Sequence, residues 1–89
     1  MNVSVITEEE FSKIKIPNRM LCDLGWTTQT NLVCIPGEKI IQVYEQKASE
    51  MQFQRMEFER DCFFIKIPKI NCEYVQVAIF NDILVIMKK

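Results

Sequence analysis

The chain of 89 residues contains no histidine. Histidine is the most frequent general acid or base in catalysis and the commonest metal ligand in proteins. With only two glycines, the chain also has no glycine-rich phosphate loop, and no nucleophile is paired with a base in a known catalytic pattern. We therefore expect a protein that is not an enzyme and that needs no cofactor.

Cysteine is present, but without the spacing that metal sites use. The four cysteines, Cys22, Cys34, Cys62 and Cys72, form no C-x-x-C pair. Because histidine is absent as well, a zinc site is the less favoured interpretation. We interpret the cysteines as small buried apolar side chains in a reducing compartment, with no metal bound.

Long apolar runs are missing too. The longest, Val77–Phe80 and Ile83–Met87, are far shorter than the roughly 20 residues that a membrane-spanning helix needs. The N-terminal stretch MNVSVITEEE lacks the basic region and apolar core of a signal peptide. A net charge of −1 gives no overall field that would select nucleic acid or an anionic membrane. These absences predict a soluble cytoplasmic protein with no membrane partner.

The clearest positive feature is the tetrapeptide Ile-Lys-Ile-Pro, which occurs at residues 14–17 and again at 65–68. Lysines alternate with isoleucines in Phe11–Pro17, which predicts a half-buried strand that ends at the proline. Cys62–Pro68 repeats the pattern of a strand that ends in proline. The length of the chain predicts one domain, residues 1–89.

After the first copy, residues 18–24 have the apolar spacing of a short helix. Asn18 is expected to cap its start, and Gly25 is expected to end it because glycine accepts the left-handed conformation. Residues 32–45 then predict a hairpin, with Pro36-Gly37 at the centre of a type II turn.

After the second copy, residues 75–80 and 83–87 predict another hairpin around the turn Asn81-Asp82. The intervening segment, residues 46–60, is ambiguous. Ala48, Met51 and Arg55 could share a helical face, whereas MQFQ and MEFE alternate like a strand. We favour a short linker followed by a strand from about residue 51.

Residues 1–46 and 51–89 therefore form two similar halves. The second half is shorter, because no room for a helix remains between Pro68 and Val75. A three-stranded half of about 40 residues cannot bury its own apolar face, but two halves packed together can. The sequence predicts a mostly β fold: a small swapped-hairpin-like β-barrel of two strand-hairpin repeats, with one short helix.

The stretch SKIKIPNRMLCDLGWTTQTNLVCIPGEKIIQVYE resembles the AbrB-type swapped-hairpin family, which includes bacterial transition-state regulators and MazE-type antitoxins. The matching features are Lys13, Ile16-Pro17, the helix before Gly25-Trp26 and the hairpin containing Ile40-Ile41. In that family two chains interleave their hairpins into one barrel. The resemblance therefore implies a fused tandem of two degenerate copies, either a monomer-competent pseudo-dimer or a homodimer.

The resemblance also implies a transcriptional regulator or antitoxin-type protein that binds duplex DNA. The candidate DNA-binding residues are Lys13, Lys15, Arg19, Lys66 and Lys69. Lysine and arginine would hold phosphates, and arginine is best able to read a guanine edge.

Departures from the family pattern weaken this surface. Glu8–Glu10 end the first strand, and Phe64 takes the place of Lys13 in the second copy. Arg55 and Arg60 would add positive charge if residues 51–60 form a strand. An uninterrupted basic stripe across both Ile-Lys-Ile-Pro strands would favour DNA, whereas lysines interrupted by glutamate and phenylalanine would favour a protein partner.

The alternative is a protein-interaction module, an inhibitor or toxin neutraliser of a mobile element, that keeps the fold without binding DNA. Its contact surface would use exposed strand edges or the aromatic side chains Phe53, Phe58, Phe63, Phe64 and Tyr74. Core packing is the competing interpretation of these aromatics. We expect Trp26 in the core.

Overall fold

The computed structural model describes residues 1–47 and 53–88. Within these ranges the chain forms eight strands and one helix. The strands are β1 (Asn2–Thr7), β2 (Phe11–Ile16), β3 (Leu32–Pro36), β4 (Ile40–Glu45), β5 (Glu57–Glu59), β6 (Cys62–Pro68), β7 (Tyr74–Phe80) and β8 (Ile83–Met87), and helix α1 (Asn18–Leu24) lies between β2 and β3.

All strand pairs are antiparallel, in the order β3-β4-β8-β7-β1-β2-β6-β5. The sheet curls until its two ends approach each other. There, the Leu32 N–H donates to the Gln54 carbonyl over 2.7 Å, and the Gln54 N–H donates to the Leu32 carbonyl over 2.8 Å. The prediction of a mostly β, barrel-like fold with one short helix is confirmed.

The strand pairing has an internal symmetry. When β1, β2, β3 and β4 are exchanged with β5, β6, β7 and β8 respectively, each strand keeps the same neighbours. β2 pairs with β6 and β4 pairs with β8, so each strand meets its own counterpart. β1 pairs with β7, while the residues just before β5 reach β3 through the Leu32–Gln54 bridge.

The residue pairs within the ladders have the same symmetry. Ile14 faces Ile65, its counterpart 51 positions later (14 to 65), and Gln42 faces Val85, 43 positions later (42 to 85). The offset falls by eight because α1 lengthens only the first connection. The strand pairing therefore has one approximate two-fold axis, which passes through the Ile14–Ile65 pair and the Gln42–Val85 pair.

The core fills the inside of the curled sheet. Strand alternation supplies it, since every second side chain of each strand points inward. Trp26, just after α1, packs into the same core at 5% exposure, as predicted. The fully buried aliphatic side chains are Ile14, Ile16, Leu32, Ile41, Val43, Ile65, Val75, Val77, Leu84 and Ile86.

The predicted bounds of α1 are correct, but its predicted cap is wrong. Pro17 occupies the cap position and accepts the Met20 and Leu21 N–H groups with its carbonyl, but its side chain has no acceptor, so no side chain caps the helix. At the other end, Gly25 has φ 71° and donates its N–H to the Leu21 carbonyl. The prediction that Gly25 ends the helix in the left-handed conformation is confirmed.

Both hairpins form, although one turn differs from its prediction. Pro36 belongs to β3 and faces Ile41, so the chain reverses over the next three residues, and Gly37 does not adopt the positive φ of a type II turn. Gly37 is instead needed for space, since a Cβ there would lie 2.6 Å from the Ile40 carbonyl oxygen. Asn81 and Asp82 have positive φ angles of 51° and 64°, as the tight turn predicted.

The strand predicted from residue 51 is only partly present among the residues that the structure describes. β5 covers only Glu57–Glu59, and Gln54 makes an isolated bridge. Arg60 and Asp61 then form the turn into β6 with positive φ angles, so Arg60 is not a strand residue. The part of the prediction that concerns residues 48–52 lies outside the described residues.

Candidate functional site

The outside of the sheet has two chemically different faces. The first, here called the charged face, is the outer surface of β2, β6 and β5. Burial of Ile14 and Ile16 turns the alternate residues of β2 outward, and β6 and β5 follow in register. The charged face consists of Phe11, Lys13, Lys15, Glu57, Glu59, Cys62, Phe64, Lys66 and Pro68.

Lys13 does not project into solvent. Its ammonium nitrogen lies 3.1 Å from a Glu59 carboxylate oxygen and 3.4 Å from one of Glu57, and its side chain is 12% exposed. The hydrogen bond to Glu59 raises the pKa of Lys13 above its ordinary value, since the carboxylates favour the charged amine. Strand alternation in Phe11–Pro17 predicts that Lys13 and Lys15 both point to solvent, and for Lys13 that prediction is wrong.

Lys66 lies opposite Lys13 and shares the same acid. Its ammonium nitrogen is 3.2 Å from the other Glu57 oxygen and 4.9 Å from the centre of the Phe11 ring. Burial by itself raises the pKa of Glu57, but the hydrogen bonds from Lys66 and Lys13 outweigh it, so that pKa is lowered. One carboxylate thus pairs with both central lysines of the charged face, and Glu59 supplies the second negative charge that balances them.

The remaining candidate residues are spread along the strand pair. Lys15 is exposed beside Phe64, and Arg19 is exposed on α1, beyond one end of β2. Lys69 follows β6 at the opposite end and donates to the Glu9 carbonyl over 3.1 Å. The structure brings together Lys13 and Lys66, but it separates Arg19 from Lys69 by the length of β2, on the order of 20 Å.

Neither additional arginine lies on a strand of the charged face. Arg55 donates to the Asn31 side chain over 3.1 Å and stacks over Phe53. Arg60 lies in the turn after β5. Glu57, Glu59 and Phe64 therefore interrupt the basic stripe, which is the pattern that favours a protein partner over DNA.

The second outer face belongs to β3, β4, β8 and β7 and has no charge. We call it the uncharged face. Val33 also points outward there but is only 2% exposed. The other outward positions are Ile35, Ile40, Gln42, Tyr44, Tyr74, Gln76, Ala78, Phe80, Ile83, Val85 and Met87, and none of them belongs to the core.

Sequence reasoning missed this surface. An antiparallel sheet with one solvated side usually alternates apolar and polar residues, whereas both hairpins place apolar residues on the outside as well. Ile35 is 41% exposed, Ile40 38% and Phe80 69%. The signal that could have found the uncharged face was the lack of any charged side chain at the outward positions of all four strands.

The aromatic patch predicted for a protein partner does not exist as one surface. Phe53, Phe58 and Tyr74 are each about half exposed, as expected for contact residues. Phe64 is buried at 8% exposure, and Phe63 packs against the core while stacking on Phe58 at 4.8 Å between ring centres. Of the five aromatic residues that were predicted to form the patch, only Tyr74 lies on the uncharged face.

The cysteines are less uniformly buried than predicted. Cys34 and Cys72 pack against the core, and burial raises the pKa of the Cys34 thiol. Cys62 is half-buried, whereas Cys22 is exposed on α1, so the prediction of burial is wrong for Cys22.

A groove of about 650 Å³ lies beside α1. Leu21, Cys22, Trp26 and Phe63 supply much of its lining, and no charged side chain faces it. The groove could admit an apolar side chain, but it offers nothing that would hold a charged ligand.

Across residues 1–47 and 53–88, no three His, Cys, Asp or Glu side chains come together as a metal site. In the same part of the chain, no helix has the length and hydropathy needed to cross a membrane. Comparisons with family models, curated proteins and solved structures found no match to this chain. The AbrB-type resemblance therefore rests on the sequence motif.

Proposed function

We propose that the chain is a protein-interaction module, built as a fused tandem of two AbrB-like halves. The internal symmetry of the strand pairing supports the tandem, because exchanging β1–β4 with β5–β8 preserves both the neighbouring strands and the residue registers. A fused tandem places inside one chain the contacts that separate chains make in the family.

The observation that carries the proposal is the uncharged face. Four neighbouring strands present mainly apolar side chains to solvent, and the polar groups among them are the amides of Gln42 and Gln76 and the hydroxyls of Tyr44 and Tyr74. A contiguous exposed apolar surface of this kind marks a site of protein contact more often than a solvated face. Apolar contact also requires no special chemistry, which agrees with a chain that lacks histidine.

The charged face favours the same conclusion. Binding to DNA would require phosphates to compete with Glu57 and Glu59 for the two central lysines. Each of those carboxylates would also lie close to the incoming phosphates and repel them.

A second candidate function is DNA binding through Lys15 and Arg19. Both side chains are exposed, and within the described residues no salt bridge involves either of them. Two or three such contacts give weak binding, so this candidate is the less favoured one.

Fluorescence anisotropy with labelled duplexes tests the choice. At ~50 mM salt, we expect no saturable binding to any duplex, because the central lysines are already paired. DNA binding through about three phosphate contacts would instead give a slope of about −2.7 for log K against log salt.

The matched variants are Lys15→Glu with Arg19→Glu, and a control with Lys39→Glu and Lys47→Glu, which makes the same charge change away from the charged face. Saturable binding by the wild-type chain that the first double variant loses and the control keeps would reject the module and establish the DNA-binding function.

A further inference from the structure

We propose that the sheet opens locally at one point, the contact between Leu32 and Gln54, while the rest of the fold stays closed. Two four-stranded parts, β3-β4-β8-β7 and β1-β2-β6-β5, meet at two seams: the β1–β7 ladder and this contact, here called the Gln54 seam. The approximate two-fold axis exchanges the two seams and relates Leu32 to Val75, 43 positions later (32 to 75). Gln54 corresponds to Val3, 51 positions earlier (54 to 3). A difference between the contacts of the two seams therefore decides which one opens first.

The β1–β7 seam is a continuous ladder. Val3 pairs with Val75 at its centre, and the Val5 N–H, two residues along β1, donates to the Glu73 carbonyl over 2.8 Å. The Val3 side chain is also part of the core, at 5% exposure. Backbone hydrogen bonds and core packing therefore both hold this seam closed.

Among the described residues, the Gln54 seam consists of one pair. Leu32 and Gln54 exchange two backbone hydrogen bonds, and no ladder continues from them. The counterpart of the second bond of the β1–β7 seam would run from the Met56 N–H to the Thr30 carbonyl. No such bond forms, and the Thr30 N–H donates back to the Thr27 carbonyl over 3.1 Å. The Gln54 seam is therefore the weaker of the two.

Gln54 holds its seam with its side chain as well as its backbone. The side-chain amide donates to the Lys66 carbonyl over 2.7 Å and accepts the Lys66 N–H over 3.0 Å. The amide thus takes the place of a strand residue opposite Lys66 and fixes Gln54 to β6. Val3, its counterpart, is held by core packing, whereas Gln54 is only half-buried. The closure of the sheet against β3 therefore depends on the hydrogen bonds of one residue.

Opening of the Gln54 seam leaves every ladder of the sheet intact, because β3 stays paired with β4, and β5 stays paired with β6. It frees the N–H and carbonyl groups of Leu32, so that β3 gains an unpaired edge. It also gives water access to the core beside the seam, where Leu32 is fully buried and Met56 is 4% exposed. Such an opening is a property of the fold and does not depend on which partner the chain binds.

Amide hydrogen exchange of the full chain, followed by NMR at increasing low concentrations of denaturant, is the experiment. The Leu32 and Val75 amides are the matched pair, because the two-fold axis relates them. We expect the Leu32 amide to be protected at least about tenfold less than the Val75 amide, since fewer hydrogen bonds must break. Low denaturant should leave the exchange rate of Leu32 unchanged and accelerate that of Val75, because only the larger opening exposes much new surface.

Gln54→Ala tests the role of the side-chain amide. It removes both hydrogen bonds to Lys66, so exchange of the Leu32 amide should accelerate at least about tenfold, although the removed group does not touch Leu32. The matched control is Gln76→Ala, which makes the same change on β7 in the other seam, where Gln76 pairs with Asn2. It should leave exchange of the Leu32 amide as in the wild type.

Equal protection of the Leu32 and Val75 amides, with the same dependence on denaturant, would show that the seams open together and would overturn the inference. A Gln54→Ala variant whose Leu32 amide exchanges at the wild-type rate would overturn the role of Gln54. The wild-type measurement needs no variant, so the inference stays testable even if Gln54→Ala fails to fold.

Discussion

Among single residues, Glu57 has the largest effect on whether the lysines of the charged face are free to bind a ligand. Its two carboxylate oxygens each hold a different lysine, and both lysines lie on strands that the sequence marks as basic. Without Glu57, the partners left among the described residues would be Glu59 for the Lys13 ammonium group and the Phe11 ring for that of Lys66. The chemical character of the charged face therefore depends on one acid from a three-residue strand.

We predict that Glu57→Gln lowers stability near neutral pH and leaves it unchanged in acid. The folded pKa of Glu57 lies below its unfolded value of about 4.3, so its stabilisation is present above that pH and is lost as pH falls through the folded pKa. Because Glu57 is 37% exposed and Lys66 47% exposed, water and salt screen their charges. The effect should therefore stay below about 1 kcal/mol and shrink in high salt.

Thermal unfolding of both proteins between about pH 3 and pH 7 measures the difference. Glu73→Gln is the control, since Glu73 makes no salt bridge within the described residues. A stability difference that stayed constant across this pH range would show that Glu57 acts through packing instead.

At the scale of elements, α1 is the main difference between the two halves. Pro17 starts the helix, and Trp26 behind it fills the core. After Pro68 the chain passes to β7 without a helix. The end of α1 depends on Gly25, whose left-handed backbone redirects the chain so that the next residue, Trp26, points into the core.

We predict that Gly25→Ala destabilises the chain by about 1–2 kcal/mol, the usual cost of a side chain in the left-handed region. Nothing lies within 4 Å of the added Cβ, so the cost would be conformational rather than steric. Urea unfolding measures it, and Gly25→Asn should lose clearly less, because asparagine tolerates this backbone. Equal losses for Ala and Asn would contradict this explanation.

At the scale of the whole molecule, the two halves are mutually dependent. β1, β2 and β4 of the first half each pair with a strand of the second, namely β7, β6 and β8. The core lies between them, so neither half encloses it alone.

We therefore predict that the isolated fragment 1–46 is unfolded or self-associates, whereas the full chain folds. Removing residues 47–89 exposes the inner face of the first half and leaves three strand edges unpaired. Circular dichroism and sedimentation of the fragment, beside the full chain, measure both properties. A folded, monomeric fragment would mean that each half has a core of its own.

The sequence by itself determined the local elements. Alternation around Ile14 and Ile65 set which side chains point inward, Gly25 ended the helix, and Asn81-Asp82 formed the turn. These features depend on neighbours within a few residues, where backbone preferences and side-chain periodicity act directly.

Only the tertiary structure decided what the surfaces are. Lys13 was identified as a basic strand residue, but its partners Glu57 and Glu59 lie more than 40 positions away and reach it through β6. The uncharged face likewise combines strands of both halves. Periodicity fixes the direction of a side chain but not the neighbouring strand, and the neighbouring strand determines whether a lysine is free and whether apolar residues join into one surface.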